Sequence, residues 1–148
     1  MLEISATGVV PAPPAAVWSD IADADAFASW YAFCDAVETP EPDVRVLIGS
    51  WGAQRSAVTT RVTASDPPRR FAWTHVAETL DGRAAPTLAM DTTVEIDLEP
   101  VGDGTEVTIT SRQQAAGWWQ RVLIRLLGRR KVANMLEQSL TVLAARHR

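Results

Sequence analysis

The chain has 148 residues, 47% hydrophobic and 22% charged, which suits one globular domain spanning residues 1–148 and argues against a disordered chain. Its apolar runs fall well short of the roughly 20 residues a membrane span needs, and MLEISATGVV has no basic region leading into an apolar run, so neither a spanning helix nor a secretion signal is expected. The net charge of −4 is unevenly placed, with 7 basic and 17 acidic side chains in residues 1–116 against 7 basic and 1 acidic in residues 117–148. That asymmetry fits a basic helix lying on an acidic sheet of the same molecule, or an anionic partner.

In chain order, EISATGVV alternates and is rich in β-branched residues, which predicts a strand. The prolines of PAPPAAVWSDIAD end it and suit the first turn of a helix, where Ala16, Val17, Asp20 and Ile21 have helical spacing. DADAFASWYAF predicts a second short helix with an aspartate cap, and CDAVETPEPD a strand followed by a proline turn. Strand signal dominates from Val44 onward. VRVLIGSW, RSAVTTRVTAS and RRFAWTHVAE are separated by glycine and Asp-Pro-Pro turns.

MDTTVEIDLEP then places Met90, Thr92, Val94, Ile96 and Leu98 on one face and Asp91, Thr93, Glu95, Asp97 and Glu99 on the other. VGDGTEVTITSRQ is its hairpin partner, with turn chemistry at Asp103-Gly104 and Val107, Ile109, Ser111 and Gln113 facing inward. One face of the sheet is therefore apolar and the other acidic and wet.

Residues 117–146 read as helix. In the first half Trp118, Trp119, Val122, Leu123, Ile124, Leu126 and Leu127 fill a wide arc, with Arg121, Arg125 and Arg129 on the remaining side. After Gly128 the apolar stripe is Val132, Leu136, Leu140 and Leu143, rotated by roughly a third of a turn, which predicts a break around residues 128–130. The first half is apolar nearly all round and must bury more than one side, as a cover over something the protein holds or through membrane or dimer contact at residues 117–131.

These elements run strand, two short helices, about six antiparallel strands and a long helix. With PAPPAAVWSDIADADAFASW, DPPRRFAW, VGDGTEVTIT and LEQSLTVLAARHR in that order, the whole chain resembles the START-related SRPBCC superfamily, in particular its bacterial polyketide cyclase/dehydrase and lipid-transport branch. The resemblance implies an α+β helix-grip fold: a curved antiparallel sheet of six or seven strands around the C-terminal helix, with an internal cavity. It also implies a hydrophobic ligand, of polyketide, acyl or isoprenoid type, and in some members cyclisation or dehydration.

Strand parity nominates Thr60, His75, Thr92, Ser111 and Gln113 as polar residues of such a cavity, with Met90 on the same inner face. Trp30, Tyr31 and Trp51 are expected near its mouth and Trp73 deeper, with Trp119 and Leu123 contributed by the C-terminal helix. His75, on the face of Phe71 and Trp73, is either a general acid or base or a core histidine bonded to a backbone carbonyl or to Thr92. Tyr31 either orients a ligand carbonyl or is an amphipathic rim residue. His147 is expected at a frayed, uninvolved end.

Cys34 is the single cysteine, with no basic neighbour in sequence, and reads as a small apolar filler. Neither a cysteine pair nor His-x-x-x-His is present, so no metal and no cofactor is expected, and the cytoplasm is the expected compartment. The acidic body and the lack of a recognition motif argue against nucleic acid. Two functions stay open: carriage of a hydrophobic molecule, or cofactor-independent acid/base catalysis of the cyclase/dehydratase kind with His75 and Tyr31 as its candidate catalytic groups.

Overall fold

The computed structural model describes residues 2–51, 53–84, 90–114 and 129–148. Strand β1 (Leu2–Val10) is followed by α1 (Pro14–Ala22) and α2 (Ala24–Trp30). Then come β2 (Ala36–Glu41), β3 (Val44–Trp51), β4 (Gln54–Asp66), β5 (Arg70–Leu80), the short β6 (Arg83–Ala84), β7 (Met90–Val101) and β8 (Gly104–Gln114), and the described helix α3 (Arg129–Ala145). The sheet is antiparallel in the order β1-β8-β7-β5-β4-β3-β2, with β6 pairing β5 off that path. The helix-grip arrangement expected from the sequence is therefore present.

Local chemistry accounts for the breaks. Pro14 opens α1 where its missing N–H costs nothing, after an extended Pro13. Asp23 ends α1 and caps α2, its carboxylate accepting from the backbone N–H of Asp25 at 3.0 Å and of Ala26 at 3.4 Å. In β2 the pairing with β3 shifts register between Glu38 and Glu41, at the edge of the sheet, where Pro40 has no N–H to give.

The β7–β8 hairpin corrects one expectation. Its two loop residues are Gly102 and Asp103, with Gly102 left-handed at φ +57°, while Gly104 already pairs with Val101. Gly104 is needed for a different reason: a Cβ there would lie 2.6 Å from the Val10 carbonyl oxygen of the passing chain. An Asp-Gly turn does occur at Asp81-Gly82, both at positive φ, and it joins β5 to β6.

The two faces of the sheet follow the alternation. Val94, Ile96, Leu98, Val107 and Ile109 are buried on the inner side. On the outer side Glu95 joins Arg70 at 2.5 Å and Arg112 at 3.1 Å, and Arg112 reaches Glu3 at 3.0 Å, so Glu95 and Arg112 face outward as expected, with Asp97 and Glu99 exposed. Helix α3 buries Leu136, Leu140 and Leu143 and crosses β1 at Gly8, where a Cβ would meet Leu140 at 3.4 Å. Residues 115–128, with the tryptophan-rich first half of the helix and Gly128 of the expected break, lie outside the described residues, while Arg129 and Arg130 already belong to α3.

The chain end is not frayed. Arg146 bonds the Asp20 carboxylate at 3.0 Å and Ser29 Oγ at 2.6 Å, and His147 Nε2 lies 2.5 Å from the other Asp20 oxygen. A buried carboxylate on α1 needs a cation and hydrogen-bond partners, and the residues just after α3 supply the Arg146 guanidinium and the His147 ring. Ser139, fully buried, accepts from the Ala32 N–H and donates to the Met135 carbonyl, each at 2.8 Å, which ties the chain after α2 to α3.

Candidate functional site

The inner face of β5 is the centre of the site. Phe71 and Trp73 are buried and pair in register with Ile96 and Val94 of β7, and His75 follows on the same face. On the other side Thr60 pairs with His75 and Thr59 with Ala77, so Val76 is an extra residue and is 59% exposed. This bulge redirects β5 immediately after His75.

His75 is half-buried, and desolvation pushes its imidazole down to about 4. Among the described residues it has neither a hydrogen bond to a carbonyl nor one to Thr92, whose own carbonyl accepts from Thr74 Oγ1 at 3.2 Å. His75 is thus a neutral imidazole at pH 7 with free hydrogen-bonding capacity toward the described part of the molecule.

Trp30 and Tyr31 are deeper than the expected mouth position. Trp30 is 2% exposed and its Nε1 donates to the Asp20 carbonyl at 2.9 Å, bracing α2 against α1. Tyr31 is 4% exposed, stacks on Phe27 at 4.7 Å and meets Trp73 edge-to-face at 5.6 Å. Burial, with a smaller contribution from Cys34, pushes its phenol above the usual tyrosine range, so it stays protonated. Tyr31 is therefore packed more deeply than an amphipathic rim residue would be. Phe27, Trp30 and Tyr31 thus form one aromatic cluster with Trp73 of the inner sheet face.

Trp73 is 2% exposed, and its Nε1 is a buried donor without a partner among the described residues. Leaving such a donor unpaired costs about 1–3 kcal/mol. Thr60 is buried with its hydroxyl committed to the Arg45 carbonyl at 2.9 Å. Thr92 and Ser111 are buried on the inner face, and Gln113 is half-buried opposite Leu2. Trp51 ends β3 and Met90 begins β7, but their side chains lie outside the described residues, as do Trp119 and Leu123 entirely.

One inner residue was overlooked. Arg45 of β3 is buried, and its guanidinium donates to the Ile21 carbonyl at 2.9 Å and the Ala22 carbonyl at 2.5 Å. It also lies 5.4 Å from the Phe27 ring centre and 4.9 Å from that of Phe71. It therefore closes the carbonyl end of α1 and stacks on the aromatic core. Its parity with Leu47 was the available signal. Cys34 is buried, and burial, then Asp35, outweigh Arg45 and push its thiol up to about 12, which fits a filler and not a nucleophile.

Two surface grooves lie elsewhere. One of about 410 Å³ runs over Arg70, Asp97 and Glu106, and one of about 350 Å³ lies between β1 and α3 along Thr7, Gly8 and Leu140. Neither includes a residue nominated from the sequence. Among the described residues no cluster of three or more His, Cys, Asp or Glu side chains could hold a metal ion, and no helix is long and apolar enough to cross a membrane.

A model of the family described as polyketide cyclase/dehydrase and lipid transport matches residues 1–148. No curated protein matches this sequence. Among solved structures, the Zhui aromatase/cyclase from Streptomyces sp. R1128 is similar with a TM-score of 0.70 at 22% identity, covering 99% of this chain and 96% of that one. A START superfamily protein from Mycobacterium smegmatis gives 0.72 at 14% identity over 98% and 96% of the two chains. A conserved protein from Geobacillus kaustophilus gives 0.73 at 18% identity over 99% and 98%. At these identities the likeness is one of fold. The chain belongs to the polyketide cyclase/dehydrase and lipid transport family, and family and fold together are consistent with hydrophobic ligand binding or polyketide cyclase activity.

Proposed function

We propose that this protein, as one domain over residues 1–148, binds a hydrophobic small molecule of polyketide, acyl or isoprenoid type between the concave sheet face and the C-terminal helix. The observation that carries this reading is the inner face of β5, where Trp73 and His75 stand among apolar side chains without partners among the described residues. Thr92, Ser111 and Gln113 are the further polar contacts in this reading, and Met90, Trp51, Trp119 and Leu123 its apolar ones. Residues 117–127 are its lid in this reading, and the tryptophan and arginine composition of residues 117–131 also suits a membrane surface or a second copy.

Catalysis is the second reading. A neutral His75 would take a proton from carbon next to a carbonyl and return it elsewhere, while the protonated Tyr31 hydroxyl bonds the carbonyl oxygen. Proton transfer works best when the base titrates near the working pH. A group brought down to about 4 is about three units too weak for that at pH 7. Carriage is therefore the stronger reading. A cytoplasmic location accompanies it.

Native mass spectrometry of freshly purified protein, followed by solvent extraction, tests it. A discrete added mass that is lost on denaturation is expected, and its chemistry names the ligand class. Its absence, together with failure of the protein to take up any hydrophobic probe, would sink the binding reading. Loss of turnover with retained affinity in His75→Ala would instead establish catalysis. Co-sedimentation of wild type but not Trp119→Glu with anionic liposomes would establish membrane contact.

A further inference from the structure

The inner face of β5 holds a buried hydrogen-bond donor that no described residue accepts from. Trp73 Nε1–H is sealed from water and has no acceptor among the described residues. Its ring neighbours are Phe27, Tyr31 and Phe71, and of these only Tyr31 carries an oxygen. Trp30 is the comparison within the same cluster, because its Nε1 is bonded to the Asp20 carbonyl at 2.9 Å. Buried indole N–H groups ordinarily find an acceptor. Water cannot supply one here, and the flanking backbone is occupied by pairing with Val62 of β4 and Val94 of β7.

The surroundings narrow the missing acceptor. His75, two residues along and on the same face, is neutral at pH 7, and the buried Tyr31 phenol stays protonated. The Arg45 guanidinium is directed to two α1 carbonyls and two aromatic rings. Among the described residues this face offers hydrogen bonds but no free charge. A carboxylate would lose its hydration without a counter-charge to replace it, and a hydrocarbon would leave the indole unpaired.

We propose that Trp73 Nε1–H donates to a carbonyl oxygen of an uncharged apolar ligand, making Trp73 the residue that selects a carbonyl compound over a hydrocarbon or a carboxylate. The proposal rests on the concave face being the ligand site.

Calorimetric titration of the full chain with 2-acetylnaphthalene, 2-ethylnaphthalene and 2-naphthoate tests it. The ketone is expected to bind about tenfold tighter than the hydrocarbon, the equivalent of one neutral hydrogen bond, and the naphthoate weakest. In Trp73→Phe the ketone's advantage should shrink to about twofold or less, with hydrocarbon affinity nearly unchanged. In wild-type protein one of the 6 tryptophan indole N–H signals should move downfield with the ketone and not with the hydrocarbon, a readout that needs no variant. Equal affinity for ketone and hydrocarbon, a ketone preference that survives Trp73→Phe, tighter naphthoate, or no indole shift would each overturn the proposal while leaving the binding site standing. If none of the three probes binds wild type, the concave site and the proposal fall together.

Discussion

His147 Nε2 sits 2.5 Å from Asp20 Oδ2, so the end of the chain is anchored to its first helix. Arg146 holds the other Asp20 oxygen at 3.0 Å and Ser29 at 2.6 Å. The clamp fixes α1 and α2 against α3, and those two short helices carry the aromatic side of the concave face.

The clamp should behave as one unit. Asp20→Asn is expected to lower stability by about 1–3 kcal/mol, since it removes the carboxylate charge that the Arg146 guanidinium faces. Deleting residues 146–148 should cost a similar amount, and the double change little more than either alone. Urea titration of the three proteins measures this. Simple addition of the two losses would show that the contacts are independent.

Arg45 should resist replacement by lysine. Two N–H groups reach two successive carbonyls of α1 while the plane lies against Phe27 and Phe71, a geometry an ammonium cannot copy. Arg45→Lys and Arg45→Met are both expected to destabilise by about 2 kcal/mol, because each leaves buried carbonyls short of donors. A lysine variant as stable as wild type in thermal unfolding would refute the two-carbonyl lock.

His75 makes stability depend on pH. Its folded imidazole titrates at about 4, below its ordinary 6.5, because burial disfavours the charged form. The unfolded chain therefore binds the extra proton first. Stability is fully present above 6.5 and is lost as pH falls toward 4, by on the order of 3 kcal/mol. His75→Phe should flatten that slope in denaturant titrations across the window. Glu95 is also depressed, because its bonds to Arg112 and Arg70 outweigh the partial burial that would raise it. Its contribution is lost at lower pH, below the ordinary carboxylate range, and Glu95→Gln should leave the slope above it intact. An unchanged slope in His75→Phe would mean that His75 is hydrated in solution.

The two hairpin glycines should differ in cost. Gly104→Ala would place a methyl 2.6 Å from the Val10 carbonyl oxygen, so one of two hydrogen-bonded backbones must move, at about 2–3 kcal/mol. Gly102→Ala meets open space and carries only the left-handed backbone penalty of about 1 kcal/mol. Comparing the two melting temperatures checks the order, and a milder effect at Gly104 would contradict the close approach to β1.

Much of the architecture was legible because alternation is a local property. MDTTVEIDLEP sorts its own residues to two faces, and the structure buries Thr92, Val94, Ile96 and Leu98 while Glu95 pairs outside. The stripe Leu136, Leu140, Leu143 likewise named the buried side of α3. Parity placed Trp73 and His75 on one inner face because they are two apart on a strand that stays regular until its bulge at Val76.

Depth and partnership were not legible, because they depend on atoms far away in the chain. Nothing near Tyr31 says that Phe27 and Trp73 enclose it, or that Arg45 turns inward to close α1 from 23 and 24 residues away. His147 looked like a loose end because its partner Asp20 is 127 residues away. The sequence by itself determined which side chains share a face and which family the chain resembles, since strand and helix periods are written in neighbouring residues. Only the tertiary structure decided that Trp73 has an N–H unpaired among the described residues and His75 an uncharged ring, because desolvation and hydrogen-bond satisfaction are sums over everything packed around a group.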